Sequence, residues 1–233
     1  MQPELPTDFD AFAYDYRSLH SANVRLSGAD SAYFARFKAE QLQRYEKNET
    51  LRFLDLGCGD GLVDQYLEGL FPMWELDGID PSATSIGVAR SRSSSRTRYH
   101  VQETSELPFE TAHFDIVMLA SVLHHVAEHL QDSLIAEVLR VLRPGGRVYL
   151  FEHNPYNPVT RYFVRTCPFD VGVTLLTAKR SIRLFQRHGF EKTACRYLLF
   201  FPRARWLRWL LPLEKRLGWL PLGGQYMLQL IRR

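Results

Sequence analysis

Cysteine is scarce in this chain. Its 233 residues hold three, Cys58, Cys167 and Cys195, widely spaced and with no Cys-x-x-Cys pair. That pattern supports neither a zinc site nor a disulfide framework, and it points to a reducing cytoplasm. Long apolar runs are missing as well: none approaches the roughly 20 residues that a membrane-spanning helix needs. The opening stretch MQPELPTDFDAFAYDY is acidic and has no apolar core, so no secretory signal is expected. Excess charge is also lacking. Lys and Arg number 29 against 26 Asp and Glu, a net +3 that does not by itself imply a nucleic-acid partner. Two nucleotide-binding signatures are absent. Counted from Gly57, the sixth position of a Gly-x-Gly-x-x-Gly fingerprint is Leu62, and no Gly-x-x-x-x-Gly-Lys-[Ser/Thr] run occurs. There is no internal repeat, and the polar patch SRSSSRTR is the one biased tract.

What is present is an alternation. With 45% hydrophobic and 24% charged residues, the chain suits one soluble globular domain with a sizeable core. The first fifty residues read as helical, Gly28 and Asp30 opening the stretch SAYFARFKAEQLQRYEK. Then come strand LRFLDLG, helix LVDQYLEGLF, strand WELDGID, helix SATSIGVARSR, strand RYHVQ, strand FDIVMLASVL, helix LQDSLIAEVLRVL stopped by RPGG, and strand RVYLFE. Strands that alternate with helices of this length imply βαβ units. Their nearly continuous apolar character implies a mostly parallel sheet covered on both faces. From Asn154 to Thr177 the rhythm breaks, and this segment reads as an insertion or lid without a clear period. AKRSIRLFQRHGF is helical, with Gly189 as its stop. CRYLLFF and QYMLQLI are two further strands, which makes seven.

FLDLGCGDG is the strongest signal. Asp55 ends the first strand, and Gly57, Gly59 and Gly61 fill the turn into the first helix, where glycine allows close backbone approach to a ligand. An aspartate there repels a pyrophosphate and suits a ligand with a cationic head. Asp80 ends the second strand, where a carboxylate accepts from both hydroxyls of a ribose. The alternative is a helix N-cap, with Pro81 at the first helical position.

The combination DLGCGDG, GIDPSA, VQETSELPF, FDIVMLASVLHHV and EVLRVLRPGGRVYLFE resembles the class I S-adenosylmethionine-dependent methyltransferases, of the small-molecule, methyltransferase type 11-like group. The resemblance spans Leu51 to Glu152 and implies an α/β, Rossmann-like three-layer sandwich. It implies that Asp55, Gly57, Cys58 and Gly59 surround the methionine part of S-adenosylmethionine, and that Asp80 and Pro81 hold the ribose. Glu103 and Thr104 would border the adenine, Ala120 and Ser121 would line the floor, and Tyr16 would cap the carboxylate. Glu103 stands where many members carry Asp. On this reading the chain is a single domain over 1–233. It has a helical N-terminal cap (1–50), a cofactor-binding core (51–153), and a lid with the last strands and a basic aromatic segment (154–233).

Methyl transfer from a sulfonium depends on positioning, which can supply roughly 7–11 kcal/mol. A base is needed only when the acceptor loses a proton. LFEHNPYNP ends the fifth strand with Glu152, His153, Asn154 and Asn157, which places these four residues at the acceptor. His153 is the expected general base or orienting group and His124, with His125 beside it, the second candidate. No carboxylate is spaced to complete a metal site with the histidines, so no metal is expected. The pattern EHNPYNPVTRY…CPFD…FFP…PLGGQY resembles a bacterial subgroup of these enzymes.

From Arg196 to Arg233 there are eight Arg or Lys and one acid, Glu214, together with Trp206, Trp209 and Trp219. The segment 203–220 reads either as an interfacial helix touching a membrane or lipid-like acceptor, or as a core-packing helix with a basic face. The expectation is methyl transfer to oxygen, nitrogen or carbon of a small molecule, lipid-like acceptors among them, with S-adenosylhomocysteine as product and no nucleic acid bound. The rivals are a protein or RNA methyltransferase and a non-catalytic cofactor-binding partner. An NPPY-type nucleobase site is absent after the fourth strand.

Overall fold

Period-two alternation on strands covered from both sides fixes the architecture. In the central strands β1 (Arg52–Leu56), β4 (Phe114–Ala120) and β5 (Leu142–His153), successive residues go to opposite faces. Leu54, Leu56, Val117, Leu119, Val148 and Leu150 pack into one apolar cluster. Phe53, Ile116, Met118, Tyr149 and Phe151 pack into the other. Helices α5 (Glu128–Val141) and α7 (Ala178–Arg187) cover the first face, and α2 (Ser31–Leu42) and α3 (Leu62–Leu70) the second. A large-to-small change in either cluster, such as Leu54→Ala, costs about 2–5 kcal/mol.

The computed structural model describes residues 9–94, 96–203 and 205–233, apart from the side chains of Leu26, Arg205, Trp206 and Arg208. Its seven strands are completed by β2 (Glu75–Asp80), β3 (Thr97–Val101), β6 (Phe190–Leu198) and β7 (Gln225–Arg232). Their order is β3–β2–β1–β4–β5–β7–β6. The first five strands run parallel, while β7 lies antiparallel between β5 and β6. The order reverses between β1 and β4, so the crevice beyond their carboxyl ends is where an open α/β sheet takes its ligand.

Three boundaries differ from the sequence reading. The lid segment contains a helix, α6 (Pro158–Thr166), with Asn157 as its N-cap and Pro158 in its first turn. Proline costs nothing there, because the amide it lacks would have had no helical partner. β6 begins at Phe190, five residues before Cys195. Arg143 to Gly146 of RPGG lie within the irregular start of β5, with Gly145 at φ 76°. The segment 203–220 is a 3-10 turn, Arg205–Leu213, that contains Pro212 and runs into the short α8 (Glu214–Leu217). The N-terminal part holds α1 (Tyr16–Val24) and α2, joined by a 3-10 turn that ends at Gly28, φ 73°.

Candidate active site

A cavity of about 540 Å³ opens at the switch point, a size typical of small-molecule sites. It runs from the glycine loop, past the ends of β4 and β5, to a vault formed by α1, α2, α6 and the chain after β6.

The loop is locked by backbone geometry. Gly57 N–H and Cys58 N–H both donate to Ile79 O (2.8 and 3.1 Å), and Gly61 N–H returns to Cys58 O. Gly57 has φ 81°, and a Cβ there would collide with Val122. Gly59 N–H donates to Asp80 Oδ2 (2.9 Å), and Asp80 Oδ1 accepts from Ser82 N–H (2.9 Å). Asp80 is therefore not the cap of α4 (Ala83–Arg92). That cap is Ser82, and Pro81 stands before it rather than at the first helical position.

Asp55 is buried, and its Oδ1 has no hydrogen-bond partner. Burial comes first in pushing its carboxyl up, to about 7, with a hydrogen bond to Asp64 and then nearby Lys38 opposing the shift and Asp80 adding to it. Asp64, fully buried on α3, goes up for the same reason, with Asp55 as its repelling neighbour. A buried carboxyl with one open oxygen at the head of the loop fits the ammonium of an amino-acid moiety, and the residues present therefore suit S-adenosylmethionine.

Asp55, Gly57, Cys58, Gly59, Ala120, Ser121 and Tyr16 all line the cavity. Ser121, at φ 64°, is a strained non-glycine position at the tip of β4, pinned by its N–H to Phe151 O (2.8 Å). The Tyr16 ring lies against Phe169 (4.7 Å between centroids) and His20 (6.1 Å). Pro81, Glu103 and Thr104 lie outside the cavity and are exposed, with Thr104 Oγ1 donating to Glu106 O.

At the acceptor end the structure separates residues that the sequence grouped. His153, His124 and Asn157 line the cavity. Glu152 and Asn154 do not, which corrects the expectation that they touch the acceptor. Glu152 is fully buried: Oε1 accepts from Leu123 N–H (2.8 Å), and Oε2 pairs with His124 Nδ1 (2.5 Å). Asn154 gives both amide protons to the β6–β7 connection, to Pro221 O (3.1 Å) and Gly223 O (2.8 Å). Asn157 caps α6 through Thr160 N–H and donates to Leu222 O (2.7 Å). Its exposed amide therefore ties down the lid.

Burial alone would push His124 down, but Glu152 and Asp170 raise it to about 9. Burial, aided by the charge on His124, holds His153 down at about 3, so its ring is neutral. Among the described residues none hydrogen-bonds to the His153 ring, which lies 5.2 Å from that of His124.

The sequence reading missed two residues. Lys38 lines the cavity from the buried face of α2, beside Ala35, Ala39 and Leu42. A lysine on that apolar stripe was the available signal. Burial lowers its ammonium, and the charges of Asp55 and Glu152 counter this. Asp170 arrives from the chain after α6 and pairs with His125 Nε2 (3.3 Å). It supplies the carboxylate that the sequence spacing does not show. The N-terminal part is tied across the site at three points. Asp10 accepts from Ser82 Oγ and Thr84 N–H, Phe9 packs edge-on to His125, and Arg17 pairs with Asp60 of the glycine loop.

Residues 54–150 match the model of a family described as a methyltransferase domain. An uncharacterized methyltransferase of Synechocystis sp. is 30% identical over 155 residues, 66% of this chain and 71% of that protein. A ubiquinone biosynthesis O-methyltransferase of Brucella melitensis is 32% identical over 187 residues, 76% of this chain and 67% of that protein. The match to a demethylmenaquinone methyltransferase of Lactococcus lactis, at 28% identity, takes in 57% of this chain and about half of that protein's length, 56%. A solved S-adenosylmethionine-dependent methyltransferase from Archaeoglobus fulgidus superposes with a TM-score of 0.71 at 14% identity, over 94% of this chain and all of that one, and shares the fold. With the glycine loop, the buried Asp55 and the switch-point cavity in place, these relationships show that the chain belongs to the S-adenosylmethionine-dependent methyltransferases.

Proposed function

We propose that the enzyme methylates a hydroxyl oxygen on a small, largely apolar acceptor with an aromatic or quinol-like ring. One observation carries this reading. The cavity that begins at the cofactor loop continues into a vault walled by Phe34, Phe163, Phe169 and Phe200, with the imidazoles of His124, His125 and His153 on its floor. Aromatic walls favour a flat apolar body, and convergent polar groups at one end fix its orientation. The quinone-methylating names of two relatives support the same class of acceptor.

S-adenosylmethionine, when bound, supplies a methyl group already activated on a sulfonium. The acceptor oxygen would form the new O–C bond as the S–C bond broke, the bonding pair returning to sulfur. The neutral ring of His153, whose nitrogen is open, accepts the hydroxyl's hydrogen bond and orients its oxygen, and the proton leaves to solvent. Glu152 acts behind His124, and Lys38 lines the same cavity from α2. Among the described residues no helix is long and apolar enough to cross a membrane. Trp209 and Trp219 are nonetheless about three-quarters exposed. Their segment is anchored to the cavity wall by Glu214, which accepts from Phe200 N–H and Phe201 N–H and pairs with Arg203. This supports an acceptor drawn from a lipid surface, at a cytoplasmic face, over the rival in which the segment only packs the core.

The test is transfer of labelled methyl to a panel of apolar phenols and hydroquinones, with the label partitioned between organic and aqueous phases. Wild-type protein should label the organic phase. His153→Ala should lower kcat by about 10–100-fold with affinity for S-adenosylhomocysteine kept. Label confined to an amine or carbon acceptor, or an unchanged kcat in His153→Ala, would overturn the reading.

A further inference from the structure

The acceptor end carries a group whose arrangement a bare hydrogen-bonding role leaves unexplained. His124 and His125 stand side by side on the 3-10 turn Leu123–His125 after β4, their ring centroids 4.2 Å apart. Asp170 reaches them from the chain after α6. One donor atom from each of the three lies within 4.8 Å of the others. Asp170 Oδ1 is 3.3 Å from His125 Nε2 and 3.9 Å from His124 Nε2. The second distance is too long for a hydrogen bond, and His124 Nε2 is a buried atom with no partner. The side chain it belongs to is 1% exposed.

The rest of the His124 environment fixes the direction in which that atom points. Glu152 takes the Nδ1 proton at 2.5 Å and is itself fixed by Leu123 N–H. With Nδ1 turned to Glu152, Nε2 is the ring atom that faces Asp170, where a metal ion would take the place of a proton. This is the carboxylate–histidine arrangement that orients a metal-binding imidazole. The cluster also has the right openness. His124, His125 and Asp170 all line the cavity, so two imidazoles and one carboxylate leave further positions free toward the acceptor. Bonds of about 2.0–2.2 Å in a tetrahedral site put ligand atoms about 3.4 Å apart, a spacing that Asp170 and His125 already have at 3.3 Å, and the two imidazoles would close in by up to about 1.4 Å on the ion. Two buried carboxylates, Glu152 and Asp170, match the charge of a divalent ion.

We propose that His124, His125 and Asp170 form a binding site for a borderline first-row divalent cation, zinc(II) in the first instance, with Glu152 as the positioning carboxylate. Two nitrogens and one oxygen suit such an ion better than magnesium or calcium, which prefer oxygen alone. The site deepens the functional reading above. An acceptor hydroxyl at the free position would be held and acidified there, and the proposal rests on that reading only for this consequence. Binding itself stands apart from it.

The experiment uses full-length protein stripped with a chelator and titrated with zinc(II) by calorimetry and with cobalt(II) by visible absorbance. The proposal expects one zinc per chain with a dissociation constant of micromolar or below, and cobalt bands of a four- or five-coordinate nitrogen–oxygen site. Asp170→Asn and His125→Ala should each weaken zinc binding more than a hundredfold, and Glu152→Gln about 10–100-fold. S-adenosylhomocysteine binding, measured on each stripped variant, reports whether the fold and cofactor loop survive. Absence of stoichiometric binding to the wild type overturns the site, as does unchanged affinity in Asp170→Asn that still binds the cofactor product. A zinc-loaded protein that methylates no hydroxylated acceptor would leave the metal site standing and remove the oxygen-acceptor reading instead.

Discussion

The two ends of the cavity are made in different ways. The cofactor end is backbone: glycine turns at positive φ, N–H groups converging on Ile79 O and Asp80, and one carboxyl with an open oxygen, all from the contiguous chain between β1 and the start of α4. The acceptor end is side chain: imidazoles after β4, His153 on β5, Asp170 beyond α6, Lys38 on α2 and phenyl rings from four segments. A site made of backbone depends little on which side chains surround it. A site assembled from distant side chains can be rebuilt for a new acceptor without touching the loop. Each prediction below perturbs one end, or the bond between them.

The largest effect is expected at the cofactor end from Asp55→Asn. Losing a charged partner for the cofactor's ammonium should weaken S-adenosylhomocysteine by about 1.5–3 kcal/mol, about 10–150-fold. The same change removes a buried charge that repels Asp64, so the melting temperature of the free protein should rise. Calorimetric titration and a thermal melt read the two effects. Equal losses of binding and stability would mean that Asp55 holds the fold rather than the ligand.

A pH dependence follows from the same carboxyl. The Asp55 carboxyl in the fold titrates near 7, above its value of about 3.9 in an unfolded chain. Its contribution to stability is therefore present below about pH 4 and lost as pH rises through 7. The cationic ligand favours the ionised form, so affinity for S-adenosylhomocysteine should climb from pH 5.5 to 7 and level off near 8. In Asp55→Asn the climb should vanish. A flat profile in the wild type would place the cation's partner elsewhere, Asp80 being the next carboxylate along the sheet edge.

The contrast between the ends also decides what the sequence revealed. Asp55, Gly57 and Gly59 lie within five residues, so one local pattern shows both the turn and its ligand. The strand–helix alternation was equally plain, because each strand carries its own apolar run. Asp170 was illegible, since it meets His125 only when the chain after α6 folds back over β4, and no spacing in the sequence shows that return. Asn154 was misread for a related reason. An Asn-Pro pair at a strand end looks the same whether its amide faces a ligand or, as here, the carbonyls of Pro221 and Gly223. The helix α6 hid behind Pro158, a residue that starts helices as readily as it ends them.

Asn154 gives the third prediction. Asn154→Ala leaves the buried Gly223 carbonyl and the more exposed Pro221 carbonyl without their donor, a loss of about 1–3 kcal/mol, and frees the β6–β7 connection that carries the lid. Stability should fall while S-adenosylhomocysteine affinity changes less than about twofold, because the cofactor loop is untouched. The Michaelis constant for the acceptor should rise, since Asn157 and α6 lean on the same connection. A matching loss of cofactor affinity would show the two ends to be more tightly coupled than their construction implies.

The smallest effect is expected where the N-terminal cap meets the loop. Asp60, 4% exposed, is held by Arg17 of α1 and by Arg92 of α4 at 2.9 Å. Both arginines are about one-third exposed, so solvent screens each pair. Arg17→Gln leaves Arg92 in place to compensate the buried carboxylate, and it should cost only about 0.5–1 kcal/mol in stability. Cofactor affinity should fall about twofold to fivefold, because α1 also positions Tyr16 over the cavity, while kcat at saturation stays unchanged. Arg17→Gln with Arg92→Gln strips Asp60 of both partners and should cost more than the two single changes added together, since only then is a charge left buried and alone. Additive losses would mean that the cap rests on its aromatic contacts, Phe9 on His125 and Tyr16 on Phe169, and that the arginine clamp is surface decoration.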